Sequence, residues 1–124
     1  MRIQFFILIT LLVFSACKRT VTETNATQLR IQNYTSYVYD SVHVISPGGK
    51  QVYYHINPCG FSGYKPFSFL YRYAYIEVYY NGRKLTLQPF DYVGEEKLNS
   101  GNYTYRLGIM FTFQEFLTLE CNQD

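Results

Sequence analysis

The sequence predicts an all-β fold: a single antiparallel β-sandwich of about seven strands, with a small barrel as the alternative. Short runs rich in Val, Ile, Thr, Tyr and Phe recur along the chain, and turn residues separate them. No window of helical length places apolar residues at three- and four-residue spacing. The folded part spans about one hundred residues, which is enough for one modest core.

The N-terminal segment has the features of an export signal. One cation, Arg2, precedes a short apolar run, FFILITLLVF at residues 5–14, which leads into Ser15-Ala16-Cys17. A membrane-spanning helix needs about 20 apolar residues, so this run is too short to be one. A basic start, a brief apolar run and small residues before a cleavage point are typical of a secretory signal peptide.

The small residues directly before Cys17 resemble the lipobox of bacterial lipoproteins, although Phe14 stands where Leu is usual. The resemblance implies that residues 1–16 are removed and that Cys17 becomes the lipidated first residue. An ordinary signal peptide near a chance cysteine is the alternative. Acyl chains would anchor the protein to a membrane. Lys18-Arg19 lacks both the aspartate and the acidic run of other sorting signals, so we expect the outer membrane, facing the periplasm.

Residues 17–27 are predicted to be the lipidated cysteine and a polar tether, and residues 28–124 the β-sandwich domain. Without residues 1–16 the chain has 10 cations and 9 acids, because Arg2 is the only charge removed. Because the charge is nearly balanced and no basic block is present, the sequence does not indicate nucleic-acid binding. No glycine-rich phosphate loop is present either.

Seven strands are expected, and turn chemistry separates several of them. The turns are predicted at Pro47-Gly48-Gly49, Asn57-Pro58, Asn81-Gly82 and Asn99-Ser100-Gly101. Two strands are long enough to bend or bulge. The strands are predicted near residues 28–34, 36–45, 50–56, 67–80, 83–89, 102–113 and 115–121.

The stretch YRYAYIEVYYNG, residues 71–82, predicts one strand of a hairpin. Asn-Gly favours a two-residue type I′ turn, which pairs Tyr80 with Arg83 and continues outward residue by residue. Alternation then places Ala74, Ile76, Val78, Leu85 and Leu87 on the core face. The opposite face carries what we call the tyrosine ridge: Tyr71, Tyr73, Tyr75, Glu77 and Tyr79.

Two interpretations of the tyrosine ridge stay open. Tyrosine favours strands and can cover its neighbours while its hydroxyl stays in water. Alternatively, a row of rings flanked by polar groups can bind a glycan or a protein, because aromatic residues are enriched in contact surfaces. The predicted strand NYTYRLGIMFTF, residues 102–113, indicates that a face rich in tyrosine need not be an outer face. Its predicted core face includes tyrosines: Tyr103, Tyr105, Leu107, Ile109, Phe111 and Phe113.

Cys59 and Cys121 form an even pair once Cys17 is assigned to lipid. Disulfides persist in exported proteins, so we expect these two residues to be bonded to each other. The bond would close a loop of 62 positions, which would raise the free energy of unfolding by roughly 4 kcal/mol in the chain-entropy model. Two free thiols are the alternative.

No catalytic or metal-binding pattern is recognisable, so an enzyme, a cofactor and a metal site are not expected. The two histidines, His43 and His55, have no zinc-ligand spacing with the cysteines. GFSG at residues 60–63 lacks the second glycine of a nucleophile elbow. Glu95 and Glu96 are adjacent and would point to opposite faces of a strand.

The segment Tyr71 to Leu107 is similar to small lipoproteins of Bacteroidetes, through YRYAYIE, QPFDYVGE and GNYTY. The resemblance implies a β-sandwich at the cell envelope and implies no activity. Its loop Gln88–Glu95 carries Asp91 and Tyr92 as a second candidate contact site. The alternative is a structured loop in which Asp91 caps backbone amides and Phe90 plugs the end of the sandwich.

These observations together predict a membrane-anchored envelope lipoprotein with a non-catalytic binding domain. Its partner would be the membrane through the anchor, together with an envelope protein or a glycan. The alternative is an inhibitor or immunity-type lipoprotein that blocks an envelope enzyme with a loop such as Gln88–Glu95. Blocking of a wall-degrading or peptidase activity would distinguish the two.

Overall fold

The computed structural model describes residues 27–124, which form two four-stranded β-sheets packed face to face. The predicted β-sandwich is confirmed. Both sheets are open, so the barrel alternative is wrong. The predicted signal peptide, Cys17 and all but the last residue of the tether lie outside the described residues. That last residue, Thr27, already begins the first strand.

Eight strands make up the sandwich, and sheet I and sheet II each contain four of them. Sheet I has the order β4-β1-β7-β8, and sheet II has the order β3-β2-β5-β6. The strands are β1 (Thr27–Asn33), β2 (Tyr39–Ser46), β3 (Gly49–Ile56), β4 (Lys65–Phe67), β5 (Tyr75–Tyr80), β6 (Arg83–Leu87), β7 (Asn102–Phe111) and β8 (Glu115–Gln123).

Neighbouring strands run antiparallel with one exception, the central pair of sheet I. There β1 and β7 are parallel, with Gln28 opposite Asn102 and Asn33 opposite Leu107. Parallel pairing needs a long connection, and here most of the chain lies between the two strands. Sheet II is continuous in pairing from β3 to β6 and wholly antiparallel.

The core lies between the sheets and follows the two-residue alternation of the strands. Five of its aromatic side chains are tyrosines, so tyrosine is a core residue here as well as a surface one. The buried apolar residues are Leu29, Ile31, Tyr39, Val42, Val44, Tyr53, Ile56, Phe67, Leu70, Ala74, Ile76, Val78, Tyr80, Tyr103, Tyr105, Leu107 and Leu117.

The Asn81-Gly82 turn and its register are confirmed. Both residues have positive φ, 47° and 70°, as a type I′ turn requires. Tyr80 pairs with Arg83, and the register continues to Ile76 opposite Leu87. The predicted core face is also confirmed, since Ala74, Ile76 and Val78 are fully buried.

The prediction of one long strand at 67–80 is wrong. The structure has β4 and β5 in different sheets, joined by a crossover at residues 68–74. Alternation continues through this segment because Leu70 and Ala74 still face the core. Its carbonyl groups are bound by other partners: Leu98 N–H donates to Leu70 O, and the Tyr105 hydroxyl donates to Tyr71 O.

The inner face of strand 102–113 is confirmed from Tyr103 to Leu107, with Ile109 half-buried against the core. It is wrong for Phe111 and Phe113, which are 58% and 108% exposed. The strand extends past the rim of the sandwich, so its alternation continues where there is no opposite sheet to cover the rings.

The predicted disulfide is wrong, since Cys59 and Cys121 are both free thiols. Cys59 precedes the segment that pairs with β1, through Asn33 N–H to Gly60 O and the Gln32–Phe61 bridge. Cys121 lies on β8, beyond β7. The two therefore lie about three strand spacings, roughly 14 Å, apart. A disulfide requires Cα atoms within about 7 Å.

The sandwich has two distinct ends. The Thr27 end contains the start of β1 beside Phe67, the Gly101 turn bonded to Gln28, and the crossover. The hairpin end contains the Asn81-Gly82 turn and the turn between β7 and β8, which an Arg83–Glu115 ion pair of 2.6 Å joins. Strand β7 spans these ends and is about 33 Å long at 3.3 Å per residue.

Candidate functional surfaces

The tyrosine ridge is divided between two structural units. Tyr75, Glu77 and Tyr79 lie on the outer face of β5, whereas Tyr71 and Tyr73 belong to the crossover. All five side chains are half-buried. The ridge is therefore not one continuous exposed platform, and its two parts need separate treatment.

On β5, Glu77 is the centre of a closed hydrogen-bond network. The hydroxyl of Tyr75 donates to Glu77 Oε1 and that of Tyr79 donates to Oε2, each at 2.9 Å. These two hydrogen bonds lower the pKa of Glu77, and the nearby cation Lys84, with Nζ 4.0 Å from Oε1, lowers it further. Both tyrosine hydroxyls are thus bound within the protein.

Ser41, His43 and Glu77 lie side by side on this face and have the residue types of a hydrolytic triad. His43 is directly opposite Glu77 across the strands, and Ser41 Oγ is 3.5 Å from His43 Nε2. The serine–histidine distance is long for a hydrogen bond. Both oxygens of Glu77 are bound by tyrosines, and the His43 ring packs against Tyr79 at 5.2 Å. The geometry does not support nucleophilic catalysis on this flat face.

The other part of the ridge is a three-ring stack with the loop Gln88–Glu95. Tyr92 lies between Tyr71 and Tyr73, with ring centroids at 5.0 Å and 5.6 Å. The Tyr73 hydroxyl donates to Asp91 O at 3.1 Å. Burial, with hydrogen bonding to Glu95, raises the pKa of Tyr73 to about 12, and burial also raises that of Tyr92. Tyr71, Tyr73 and Tyr92 therefore brace the loop.

The structured-loop interpretation is confirmed for Asp91 and wrong for Phe90. Asp91 Oδ1 accepts a hydrogen bond from Val93 N–H at 3.1 Å, so it caps a backbone amide. Phe90 does not plug the sandwich: its side chain is 108% exposed, and that of Val93 is 87% exposed. The braced loop thus presents two apolar side chains, which we call the loop tip (Phe90 and Val93).

Sequence reasoning missed a second apolar surface at the hairpin end. Met110 and Phe116 are cross-strand partners on the outer face of sheet I, and Phe113 is in the turn that follows Phe111. Their exposure ranges from 43% to 108%. The run Phe-Thr-Phe-Gln at residues 111–114, directly before β8, was the available signal in the sequence, because polar residues follow the aromatic pair. We call this surface the hairpin-tip patch: Met110, Phe111, Phe113 and Phe116.

A shallow groove joins the two surfaces along one side of the sandwich. It lies between edge strands β6 and β8, has a volume of about 820 Å³, and is lined by Leu85, Leu87, Phe116 and Leu117 among others. Leu87 also lines a pocket of about 360 Å³ beneath the loop tip. The Arg83–Glu115 ion pair closes the hairpin end of the groove, and the Tyr80 hydroxyl also bonds to Glu115.

Within residues 27–124, no three His, Cys, Asp or Glu side chains are arranged to hold a metal ion. Over the same residues, no helix has the length and hydrophobicity to cross a bilayer.

Comparison with known proteins supports the fold and goes no further. No protein-family model matches the sequence, and no curated protein matches it. The structure is similar to an NMR structure of a protein from Eubacterium rectale, with a TM-score of 0.58 and 12% sequence identity. The match covers 77% of this chain and 89% of that one. At this identity the likeness concerns the β-sandwich alone.

Proposed function

We propose that the protein is an outer-membrane lipoprotein whose β-sandwich is a non-catalytic interaction domain. In this proposal Cys17 carries the lipid anchor, and the hairpin-tip patch binds another envelope protein. The observation that supports it is the position of the patch. Four large apolar side chains are exposed at the end of the sandwich opposite Thr27, where the chain enters from the proposed anchor.

The chemistry of the patch suits a protein partner. Full burial of a Phe or Met side chain contributes about 1.5–3 kcal/mol, and aromatic residues and Met are enriched at protein interfaces. The patch is also rigid at its base, because Phe111 pairs with Glu115 and Glu115 is bound to both Arg83 and Tyr80. A preorganised apolar projection binds with a smaller entropy cost.

The tyrosine ridge suits a glycan less well than the patch suits a protein. Stacking on a sugar needs exposed ring faces, but Tyr75 and Tyr79 are half-buried and their hydroxyls are bound to Glu77. Tyr54 is the one ring on the outer face of sheet II that is mostly exposed, at 71%. A single ring gives little contact area.

Site-specific photocrosslinking in cells tests the proposal. A photoreactive phenylalanine analogue at Phe113 should yield one defined crosslinked product, and the same analogue at Tyr54 should not. The purified partner should then bind the purified protein directly. Phe113→Ser combined with Phe116→Thr should weaken that binding by at least about 100-fold, because two buried side chains together contribute about 3 kcal/mol or more.

Two controls check that any loss of binding is specific to the patch and does not come from unfolding. Tyr54→Thr, an exposed change on the other sheet, should leave binding unchanged. Thermal unfolding should show that the double variant keeps its fold, since both side chains are exposed. Equal crosslinking from Phe113 and Tyr54, or full binding by the folded double variant, would reject the patch as the contact surface.

An inhibitor is the second candidate, and Phe113 favours it. A single fully exposed ring at a turn could fill a pocket of an envelope enzyme, much as the loop Gln88–Glu95 was expected to do. The assay is inhibition of wall-degrading and peptidase activities from the same envelope by the purified protein. Inhibition that Phe113→Ser abolishes, and Phe90→Ser does not, would establish this alternative.

A further inference from the structure

We infer that the loop tip, Phe90 and Val93, inserts into the lipid surface to which the protein is anchored. The inference rests on the proposed function in one respect, the lipid anchor at Cys17. It adds a second membrane contact, made by the folded domain itself. It also assigns an orientation to the sandwich, with the Thr27 end toward the bilayer and the hairpin-tip patch away from it.

The position of the loop is the first argument. Thr27 is opposite Phe67, and the neighbouring Gln28 N–H donates to Gly101 O at 2.9 Å. The crossover that follows Phe67 bonds the segment before Gly101, through Leu98 N–H to Leu70 O at 2.8 Å. Tyr71 of the same crossover stacks on Tyr92 of the loop. The loop tip therefore lies at the end where the chain enters the domain.

The length of chain before that point keeps this end near the membrane. Ten residue steps separate Cys17 from Thr27, and they span at most about 35 Å when fully extended. The hairpin end lies about 33 Å further along β7. A lipid anchor at Cys17 thus gives the loop tip a high effective concentration at the bilayer surface, so even weak insertion is populated.

The composition of the loop fits a membrane interface. Phe90 and Val93 project with almost nothing of the protein around them, at 108% and 87% exposure. Behind them are the stacked rings of Tyr71, Tyr73 and Tyr92. Tyrosine is enriched at the level of lipid headgroups, where its ring meets apolar groups and its hydroxyl meets water.

The charges near the loop indicate the type of lipid. Asp91 and Glu95 line the pocket beneath the tip and Glu96 follows in sequence, whereas Lys97 packs its ammonium over the Phe69 ring at 4.1 Å. Attraction to an anionic surface therefore does not drive the contact. Insertion should be apolar in origin, should occur on zwitterionic lipid, and should change little with salt.

The chain contains no tryptophan, so a single Phe90→Trp substitution reports on the loop tip alone. The processed full-length protein is reconstituted into phosphatidylcholine vesicles in which some acyl chains carry bromine near the headgroup. We expect a blue-shifted Trp emission and at least about twofold quenching by the brominated lipid, unchanged in high salt. Phe113→Trp, at the opposite end, is the matched control and should be neither shifted nor quenched.

Flotation of the vesicles separates failure of this inference from failure of the proposed anchor. If Phe90→Trp protein floats with the vesicles but is not quenched, the anchor holds and the inserted loop is wrong. Quenching of both reporters would place the domain flat on the membrane and would also overturn the inference. If wild-type protein does not float, and a Cys17→Ser variant behaves identically, the anchor is wrong and the inference falls with it.

A second variant checks the apolar origin of insertion. Val93→Ser in the Phe90→Trp background should reduce quenching by about half or more, because an apolar neighbour has been removed from the lipid. Both residues are exposed, so the unfolding temperature should stay unchanged. Quenching that survives Val93→Ser in full would contradict insertion of the tip as a unit.

Discussion

At the scale of single residues, tyrosine has three separate roles in this protein. Buried tyrosines join the two sheets: Tyr53 of sheet II donates to Leu29 O of sheet I at 2.7 Å, and Tyr39 donates to Leu107 O at 2.8 Å. Half-buried tyrosines of β5 donate hydrogen bonds to the Glu77 carboxylate. Those of the crossover stack on Tyr92 and hold the loop Gln88–Glu95 in place. Sequence alternation predicted that Tyr103 and Tyr105 lie on the core face, and it made no assignment for Tyr39 and Tyr53. It did not predict the bracing, because that depends on a loop distant in sequence.

A matched pair of adjacent residues tests the inter-sheet role. Tyr53→Phe should lower the free energy of unfolding by about 1 kcal/mol, since it removes a buried hydrogen bond and leaves Leu29 O with one partner fewer. Tyr54→Phe, one residue along β3 and 71% exposed, should change it by less than about 0.5 kcal/mol. Urea denaturation measures both. Equal effects would mean that the Tyr53 hydroxyl does not join the sheets.

The lowered pKa of Glu77 predicts a dependence of stability on acid. The folded state favours the carboxylate, through Tyr75, Tyr79 and then Lys84. Its contribution is therefore present above the usual carboxyl pKa and is lost as the pH falls through the lower folded value. Glu115, bound by Tyr80 and Arg83, is shifted in the same direction. The unfolding temperature should fall between about pH 5 and pH 3.

Glu77→Gln should reduce that fall in unfolding temperature without abolishing it, because Glu115 still titrates. Tyr75→Phe combined with Tyr79→Phe should reduce it similarly, since the main causes of the shift are removed while Glu77 remains. Thermal unfolding from neutral to acidic pH compares the three proteins. An identical fall in wild type and Glu77→Gln would show that the network on β5 does not stabilise the fold.

At the scale of elements, the sequence predicted six of the eight strands within a few residues, and the Asn81-Gly82 hairpin in register. The failures at residues 68–74 and at Phe111 and Phe113 have one physical cause. Alternation describes which way a side chain points and contains no information about which sheet the backbone has joined. It therefore continued through the crossover at 68–74, and through Phe111 and Phe113 beyond the rim of the core. The tyrosine ridge was misread at the first of these places, and the hairpin-tip patch was missed at the second.

The crossover makes a specific contact that a glycine substitution tests. A Cβ built on Gly48 would be 2.0 Å from the carbonyl oxygen of Phe69, which is backbone and cannot rotate away. Gly48→Ala should therefore destabilise the fold by about 2–3 kcal/mol through overpacking. Gly63→Ala is the control, since nothing lies within 4 Å of its Cβ. It should be neutral or slightly stabilising.

Denaturation midpoints of the two alanine variants give the comparison. If Gly48→Ala is as stable as Gly63→Ala, the crossover is not held against the β2–β3 turn. Ser68 N–H, which donates to Gly48 O at 2.9 Å, would then be free to exchange with solvent at the rate of a loop amide.

At the scale of the whole molecule, the residues that stabilise the fold are separate from the residues that form the exposed candidate contact surfaces. The core and the tyrosine hydroxyls that cross it hold the sheets together, while the loop tip and the hairpin-tip patch lie at opposite ends. Nothing in local sequence distinguishes Phe67, which is buried, from Phe90 and Phe113, which are fully exposed. Only the completed fold shows that the loop tip lies beside the entry of the chain, and that the hairpin-tip patch lies about 33 Å away along β7.

A shared core also predicts that the two sheets unfold together. Tyr54→Trp places a fluorescent reporter on sheet II, and Phe116→Trp places one on sheet I, at positions exposed enough to accept the change. Both reporters should give the same midpoint in urea, as expected for two-state unfolding of one small domain.

Leu107→Ala, which truncates a fully buried side chain of sheet I, should destabilise the domain by about 2–5 kcal/mol. It should lower both midpoints equally, because in a two-state transition the stability lost in one sheet is lost by the whole domain. A shift seen only by the sheet I reporter would mean that the sheets unfold separately and that the inter-sheet tyrosines do not couple them.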